Sequence, residues 1–178
     1  REARRAKEEL DFKAIFIRPN PVRGRNWHDP VYDPLWEECQ NQGLAVGFHE
    51  SSSCLLPQAM GERFKDEHTK ILILQHVTSH PIEQMYACLS MIVGGAVERF
   101  PKLRVAFLEG NCSWLPFWLW RMDDHFENRP NRVSGTLPMM PSEYFKRQCF
   151  VSIEADEGDF VSEACPLAVL SSELTILT

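Results

Sequence analysis

The sequence predicts an α/β fold built on parallel strands, and three observations carry that expectation. Four short segments, FKAIFI (12–17), LAVGF (44–48), LRVAFL (103–108) and CFVSI (149–153), are nearly continuously apolar rather than alternating, as parallel strands generally are. Helical signals separate them, giving the order βα, βα, βα, β. The first strand, helix and second strand fit within roughly 35 residues, the size of a βαβ unit whose crossover makes the strands parallel. A parallel sheet covered on both faces and a barrel both satisfy these signals.

Each element has a local cause. At the start, Arg1, Arg4, Arg5 and Lys7 alternate with Glu2, Glu8 and Glu9, reading as a solvated helix face. FKAIFI stops at RPNP, which neither continues a strand nor starts a helix smoothly. Asp33 is the expected N-cap, with Pro34 at the first helical position, LWEECQNQ as a short helix and Gly43 as its stop. LAVGF follows at once. Residues 50–80 form a long mixed connection with Pro57, Gly61 and a charged patch from Glu62 to His68, suited to an active-site lid. KILILQHV within it fits a strand and a helical turn equally.

From Pro81 the pattern is helical: Ile82, Met85, Tyr86, Leu89, Ile92, Val93, Ala96, Val97 and Phe100 make one apolar stripe. Gly94-Gly95 weakens that helix and Pro101 ends it. LRVAFL is the third strand, EGN terminates it, and SWLPFWLWRMDDHFEN is an aromatic-rich helix. A polar loop (128–141) leads through PSEYFKRQ, a helical turn, to CFVSI. The stretch after Arg147 has no Lys or Arg, and VSEACPLAVLSSELTILT shows no βα phrasing. A divergent tail is therefore expected at the carboxyl end, over residues 158–178.

A chain of 178 residues is long enough for one domain with a substantial core. The formal charge of -6 argues against nucleic acid or an anionic membrane as partner. No apolar run approaches the roughly 20 residues that span a bilayer. The charged N-terminus lacks a signal core, so a cytoplasmic protein is expected, and the initial Arg points to an upstream portion. The six cysteines (39, 54, 88, 112, 149 and 165) contain no CxxC pair, and buried reduced thiols are the expectation.

In parallel α/β folds the working groups sit at the carboxyl ends of strands. Those positions hold Arg18 and Asn20, His49 and Glu50, Glu109 and Asn111, and Glu154 and Asp156. His49 suits a metal ligand, or a strand-end histidine bonded to a carbonyl. Glu109 suits a general base or metal ligand, or a cap on the next helix near Ser113. Arg18 suits bidentate capture of a substrate carboxylate, or a local ion pair. His76 and His80 have i, i+4 spacing without the HExxH pattern, and Pro81 is expected to push His80 out of helical geometry. Trp114, Trp118 and Trp120 read as core packing. No GxGxxG, P-loop or GxSxG motif is present.

The segments IFIRPNP, GLAVGFHES, SHPIEQM, FPKLRVAFLEGNCSWLPFWLWRMDDH and FVSIEADE together resemble the amidohydrolase-related family. This is the branch of metal-dependent TIM barrels that includes aminocarboxymuconate semialdehyde decarboxylase, resorcylate decarboxylase and related hydrolases. The resemblance covers roughly residues 1 to 157. It implies a (β/α)₈ TIM-barrel fold present as about its C-terminal half, strands four to seven, since a whole barrel takes roughly 250 residues.

The resemblance also implies a divalent metal, usually zinc, at the carboxyl rim. His49 falls on the strand-five metal histidine. Glu109 falls where the decarboxylases carry a strand-six histidine that serves as acid/base. A carboxylate beside a cation stays ionised, favouring a base or a ligand over an acid. The family's first-strand His-x-His pair is expected upstream of residue 1. Its last-strand aspartate is expected after residue 157, where Asp159 is the final Asp.

The expected function is that of a metal-dependent hydrolase or non-oxidative carboxy-lyase acting on a small carboxylate-bearing or cyclic substrate. His49 would bind metal, Glu109 would move a proton, and Arg18, Asn20 and Asn111 would contact the substrate. A homo-oligomer is expected. The competing expectation is a non-catalytic truncated or degenerate barrel serving as a binding or oligomerising scaffold.

Overall fold

The computed structural model describes residues 1–50, 57–67, 72–129, 137–154 and 157. Cys54, Asp156, Cys165 and the tail 158–178 lie outside the described residues. Among those described, β1 (Ala14–Ile17), β2 (Ala45–His49), β3 (Val105–Leu108) and β4 (Cys149–Val151) form one sheet in sequence order. Every neighbouring pair is parallel.

The register sorts the strand residues into two faces. Ile15, Val46, Val105 and Cys149 form one row, and Ile17, Phe48, Phe107 and Val151 a second on the same face. This face is the core: Val46, Phe48, Val105 and Phe107 are completely buried. Phe107 stacks between Phe48, at 5.8 Å, and Phe145, at 6.1 Å. α2 (Asp33–Gln42), α3 (Ile73–Ile92), α5 (Leu115–Asn128) and α6 (Pro141–Gln148) supply the other side of that core through Trp36, Cys88, Met91, Leu119 and Tyr144. The opposite face carries the row Phe16, Gly47, Ala106, Phe150. It remains open, with Phe16 65% exposed. One apolar face under helices and one apolar face free is what adjoining strands of a barrel present; a sheet doubly covered by helices is not formed among the described residues.

The helices depart from expectation in informative places. α1 (Glu2–Glu8) has the expected charged face, and Arg4 makes a bidentate pair with Glu38 on α2. Asp33 is the first residue of α2 rather than its cap. A 3₁₀ turn, Pro30–Tyr32, precedes it, capped by Asp29, which accepts from the Val31 N–H. Gly43, at φ 66°, closes α2 in left-handed geometry.

The largest correction concerns residues 72–92. α3 begins at Ile73, so ILQHV is helical, and so is His80, despite the following proline. Pro81 cannot donate to the carbonyl of Val77, whose side chain is 62% exposed and faces water. The expected apolar stripe is also displaced. Glu83, Gln84, Ala87, Cys88, Met91 and Ile92 are buried, whereas Tyr86 is 48% exposed. Glu83 and Gln84 face inward because they bond backbone groups there, a role hydrophobic periodicity does not register. Gly95, at φ 82°, separates α3 from the short α4 (Ala96–Arg99).

Trp114 is buried, but Trp120 is 60% exposed and is not core. Its α5 position turns outward one helical step from the buried Leu119. Cys39, Cys88, Cys112 and Cys149 are all buried. Burial pushes the Cys39 thiol up to about 11 and that of Cys149 up to about 12, leaving both unreactive at neutral pH. Among the described residues no helix is long and apolar enough to cross a membrane.

Candidate active site

The strand tips are tied together by side chains. Between β1 and β2, Asn20 Nδ2 donates to Glu50 Oε2 at 2.8 Å. Between β2 and β3, Gln84 Nε2 donates to the Phe48 and Leu108 carbonyls at 3.0 and 2.8 Å. Between β3 and β4, the Ser152 N–H donates to the Phe107 carbonyl at 2.9 Å, and the Glu109 N–H to Ser152 Oγ at 2.8 Å. The result is a single connected rim.

On that rim, His49 and Glu109 meet. His49 pairs in register with Leu108, which places Glu109 one residue beyond, and Nε2 lies 2.6 Å from Glu109 Oε2. The other ring nitrogen, Nδ1, lies 2.6 Å from the Glu50 carbonyl. A carbonyl only accepts, so Nδ1 carries a proton, and the 2.6 Å approach of Nε2 to the carboxylate, two acceptors unless something lies between them, calls for a proton or a cation shared by the pair. Glu109 has φ 55°, a left-handed conformation that is uncommon for a side chain of its size. Such strain persists where surrounding structure enforces it, and it clusters at functional sites.

An imidazole nitrogen and a carboxylate oxygen side by side fit the ligand chemistry of a divalent cation. Two atoms sharing one zinc at about 2 Å each stand roughly 3 Å apart, so the 2.6 Å separation needs little change. Among the described residues no group of three or more His, Cys, Asp or Glu is assembled for a metal. His49 and Glu109 thus offer two donors, fewer than the three protein ligands usual for catalytic zinc.

Beside the pair is an open depression of about 340 Å³ lined by Phe16, Ile17, Arg18, His49 and Glu50. Arg18 reaches only the Pro21 carbonyl, at 3.4 Å, and makes no ion pair among the described residues. Asn20, expected to touch substrate, is instead completely buried and engaged with Glu50. Its place is beneath the rim because burial of the Glu50 carboxylate calls for a donor. Asn111 is half-buried at φ 60°, and its carbonyl accepts from Trp114 Nε1.

The capping alternative for Glu109 passes to a residue the sequence reading missed. Glu157 Oε1 accepts from the Cys112 and Ser113 N–H groups at 2.8 and 3.2 Å, and Oε2 from Glu154 N–H. The only signal was a third acid after the fourth strand. The His76 and His80 rings are 4.8 Å apart. Burial, then the neighbouring His76, pushes the His80 imidazole down, while Glu109 opposes this.

Glu83 makes a pH prediction. It is 2% exposed and accepts from the Met60 N–H. Burial raises its pKa, so at pH values where the unfolded chain has lost this proton the folded chain still holds it. The stability from this group is full below the ordinary carboxylate range and is lost as pH rises through the raised value. Glu83→Gln is expected to remove that loss. Urea midpoints of the variant should change less between acidic and neutral pH than those of the parent; equal slopes would refute the assignment.

A family model described as amidohydrolase matches residues 1–161. A 2-amino-3-carboxymuconate-6-semialdehyde decarboxylase of Dictyostelium discoideum is 33% identical over 156 residues, covering 88% of this chain and 40% of the relative. An amidohydrolase structure from Mycobacterium avium subsp. paratuberculosis superposes with a TM-score of 0.69 at 25% identity, covering 94% of this chain and 44% of that one. A 5-carboxyvanillate decarboxylase from Novosphingobium aromaticivorans, in complex with manganese and 4-hydroxy-3-methoxy-5-nitrobenzoic acid, gives 0.66 at 21% identity, covering 86% and 42%. The chain thus spans less than half the length of each. Relatives of this kind lend no support to the non-catalytic scaffold.

Proposed function

Because the chain belongs to the amidohydrolase family, we propose that it supplies the latter half of the active site of a metal-dependent decarboxylase acting on a small carboxylate-bearing substrate. The observation that carries this reading is the contact between His49 Nε2 and Glu109 Oε2 on neighbouring strand tips. His49 would hold the cation through Nε2, with Nδ1 fixed by the Glu50 carbonyl. Zinc and manganese both accept such a mixed nitrogen and oxygen donor set. Bound there, the metal supplies Lewis-acid polarisation of a substrate oxygen.

The protein groups have distinct tasks. Arg18, at the wall of the depression, anchors the substrate anion. Asn111 borders the same rim and offers an amide. Non-oxidative decarboxylation breaks the bond to the carboxylate, releases carbon dioxide and needs a proton delivered to the remaining carbon. Glu109, its side chain 56% exposed on the rim, would take that proton from solvent water and pass it to the carbon, returning to the carboxylate and leaving hydroxide in solvent. One observation favours hydrolysis as a second reading. Glu109 replaces the histidine that the resemblance expects in decarboxylases, and an ionised carboxylate is suited to taking a proton from water.

The full-length protein, assayed with carboxylated aromatic and muconate-type acids in the presence of manganese or zinc, is expected to release carbon dioxide. Arg18→Ala should raise KM about tenfold or more, as loss of a charge-assisted bond predicts. Metal-dependent hydrolysis of cyclic amides or esters without carbon dioxide would select the second reading. Neither activity would overturn both. A homo-oligomer belongs to this proposal; light scattering of the full-length protein reads it directly.

A further inference from the structure

We propose that Gln84 is a positioning residue that sets the separation of His49 and Glu109 by clamping the tips of β2 and β3. The proposal deepens the reading of that pair as metal donors and rests on it for one of two readouts. Gln84 lies on α3, completely buried. Its Nε2 donates to the carbonyls of Phe48 and Leu108, the residues immediately before His49 and Glu109. Both partners accept only, so the amide orientation is fixed: turned over, Oε1 would face two carbonyl oxygens.

The other half of the amide shows what this orientation costs. Gln84 Oε1 is buried and has no hydrogen-bond partner among the described residues. Leaving an acceptor unsatisfied costs about 1–3 kcal/mol, and a methionine of similar length would fill the space with no such loss. What the amide adds is the pair of bonds across the two strand tips.

The backbone is also shaped around this side chain. A Cβ on Gly110 would lie 2.6 Å from Gln84 Cγ, so the chain passes Gln84 at a distance that glycine tolerates. Glu109 and Asn111, on either side, both adopt positive φ, 55° and 60°. The turn that aims Glu109 at His49 therefore wraps the same amide that ties their strands. A core residue acting through packing alone would not need two bonds to adjacent tips.

The test uses two variants in the full chain, Gln84→Glu and Gln84→Met. The first keeps the shape but leaves at most one donor, since a buried carboxyl facing two carbonyls holds a proton and bonds only one of them; the second keeps the volume and removes the donor. Nitrogen-detected NMR of the His49 ring, without metal, reads its contact with Glu109. Calorimetric titration with manganese and with zinc reads the donors together.

Both variants are expected to shift the His49 Nε2 resonance towards that of Glu109→Gln and to weaken metal binding about 10- to 100-fold, the range for residues that orient ligands. If Gln84→Glu does not fold, Gln84→Met alone decides. An unchanged His49 resonance with unchanged affinity in a folded variant overturns the clamp and leaves the metal reading standing. A shifted resonance in a protein that binds no metal keeps the clamp and overturns the metal reading.

Discussion

Replacing His49 with alanine is expected to lower the affinity of the protein for divalent metal by more than about 100-fold while leaving it folded. Loss of a residue that merely orients a ligand costs about 10- to 100-fold, and His49 is assigned as a ligand itself. The fold should survive because the pair contributes little to it. The side chains of His49 and Glu109 are 40% and 56% exposed, and ion pairs at such positions are worth about 0–1 kcal/mol. Calorimetry with manganese and zinc, run beside urea unfolding, separates the two effects. A variant that loses several kcal/mol of stability yet keeps its metal affinity would make His49 a structural strand-end residue.

Trp36→Ala should act on the other quantity, removing about 3–5 kcal/mol of folding stability. Small domains have only about 5–15 kcal/mol in total, so the urea midpoint should fall sharply. Trp36 is completely buried on α2, and its Nε1 donates to the Trp27 carbonyl at 3.2 Å. Its ring meets Trp27 edge-on at 5.9 Å, and Trp27 in turn meets Phe48 of β2 at 5.8 Å. Trp27 Nε1 also donates to the Pro19 carbonyl, between Arg18 and Asn20. The change therefore opens a cavity beneath the loop that carries Arg18. Trp120→Ala is the control: at 60% exposure it should change stability by less than about 0.5 kcal/mol. Similar small shifts for both would contradict the assignment of Trp36 to the core.

The parallel strands were legible because four apolar runs stand at βα spacing, and their order in the sheet is their order in the sequence. Which face each residue takes was not, since an apolar run looks alike on both sides; register supplies that. The rim was legible as a set of polar residues after strands, and His49 with Glu109 followed from it. The contact between them depends on two features outside local pattern: the one-residue offset of the β2–β3 register and the positive φ of Glu109.

α3 shows the opposite case. Its inward face includes Glu83 and Gln84, so a search for apolar periodicity rotated the stripe towards Tyr86, and Pro81 masked a helix that begins at Ile73. Polar residues buried to serve backbone groups are invisible until those groups are located. The burial of Asn20 at its strand tip is hidden from local pattern for the same reason: its partner, Glu50, lies on the next strand.

Elemental analysis of the full-length protein, purified without chelator, tests the central assignment most directly. About one manganese or zinc ion per chain is predicted, and its loss in His49→Ala. A folded, active protein that contains no divalent ion, or one whose metal content is unaffected by His49→Ala, would contradict it.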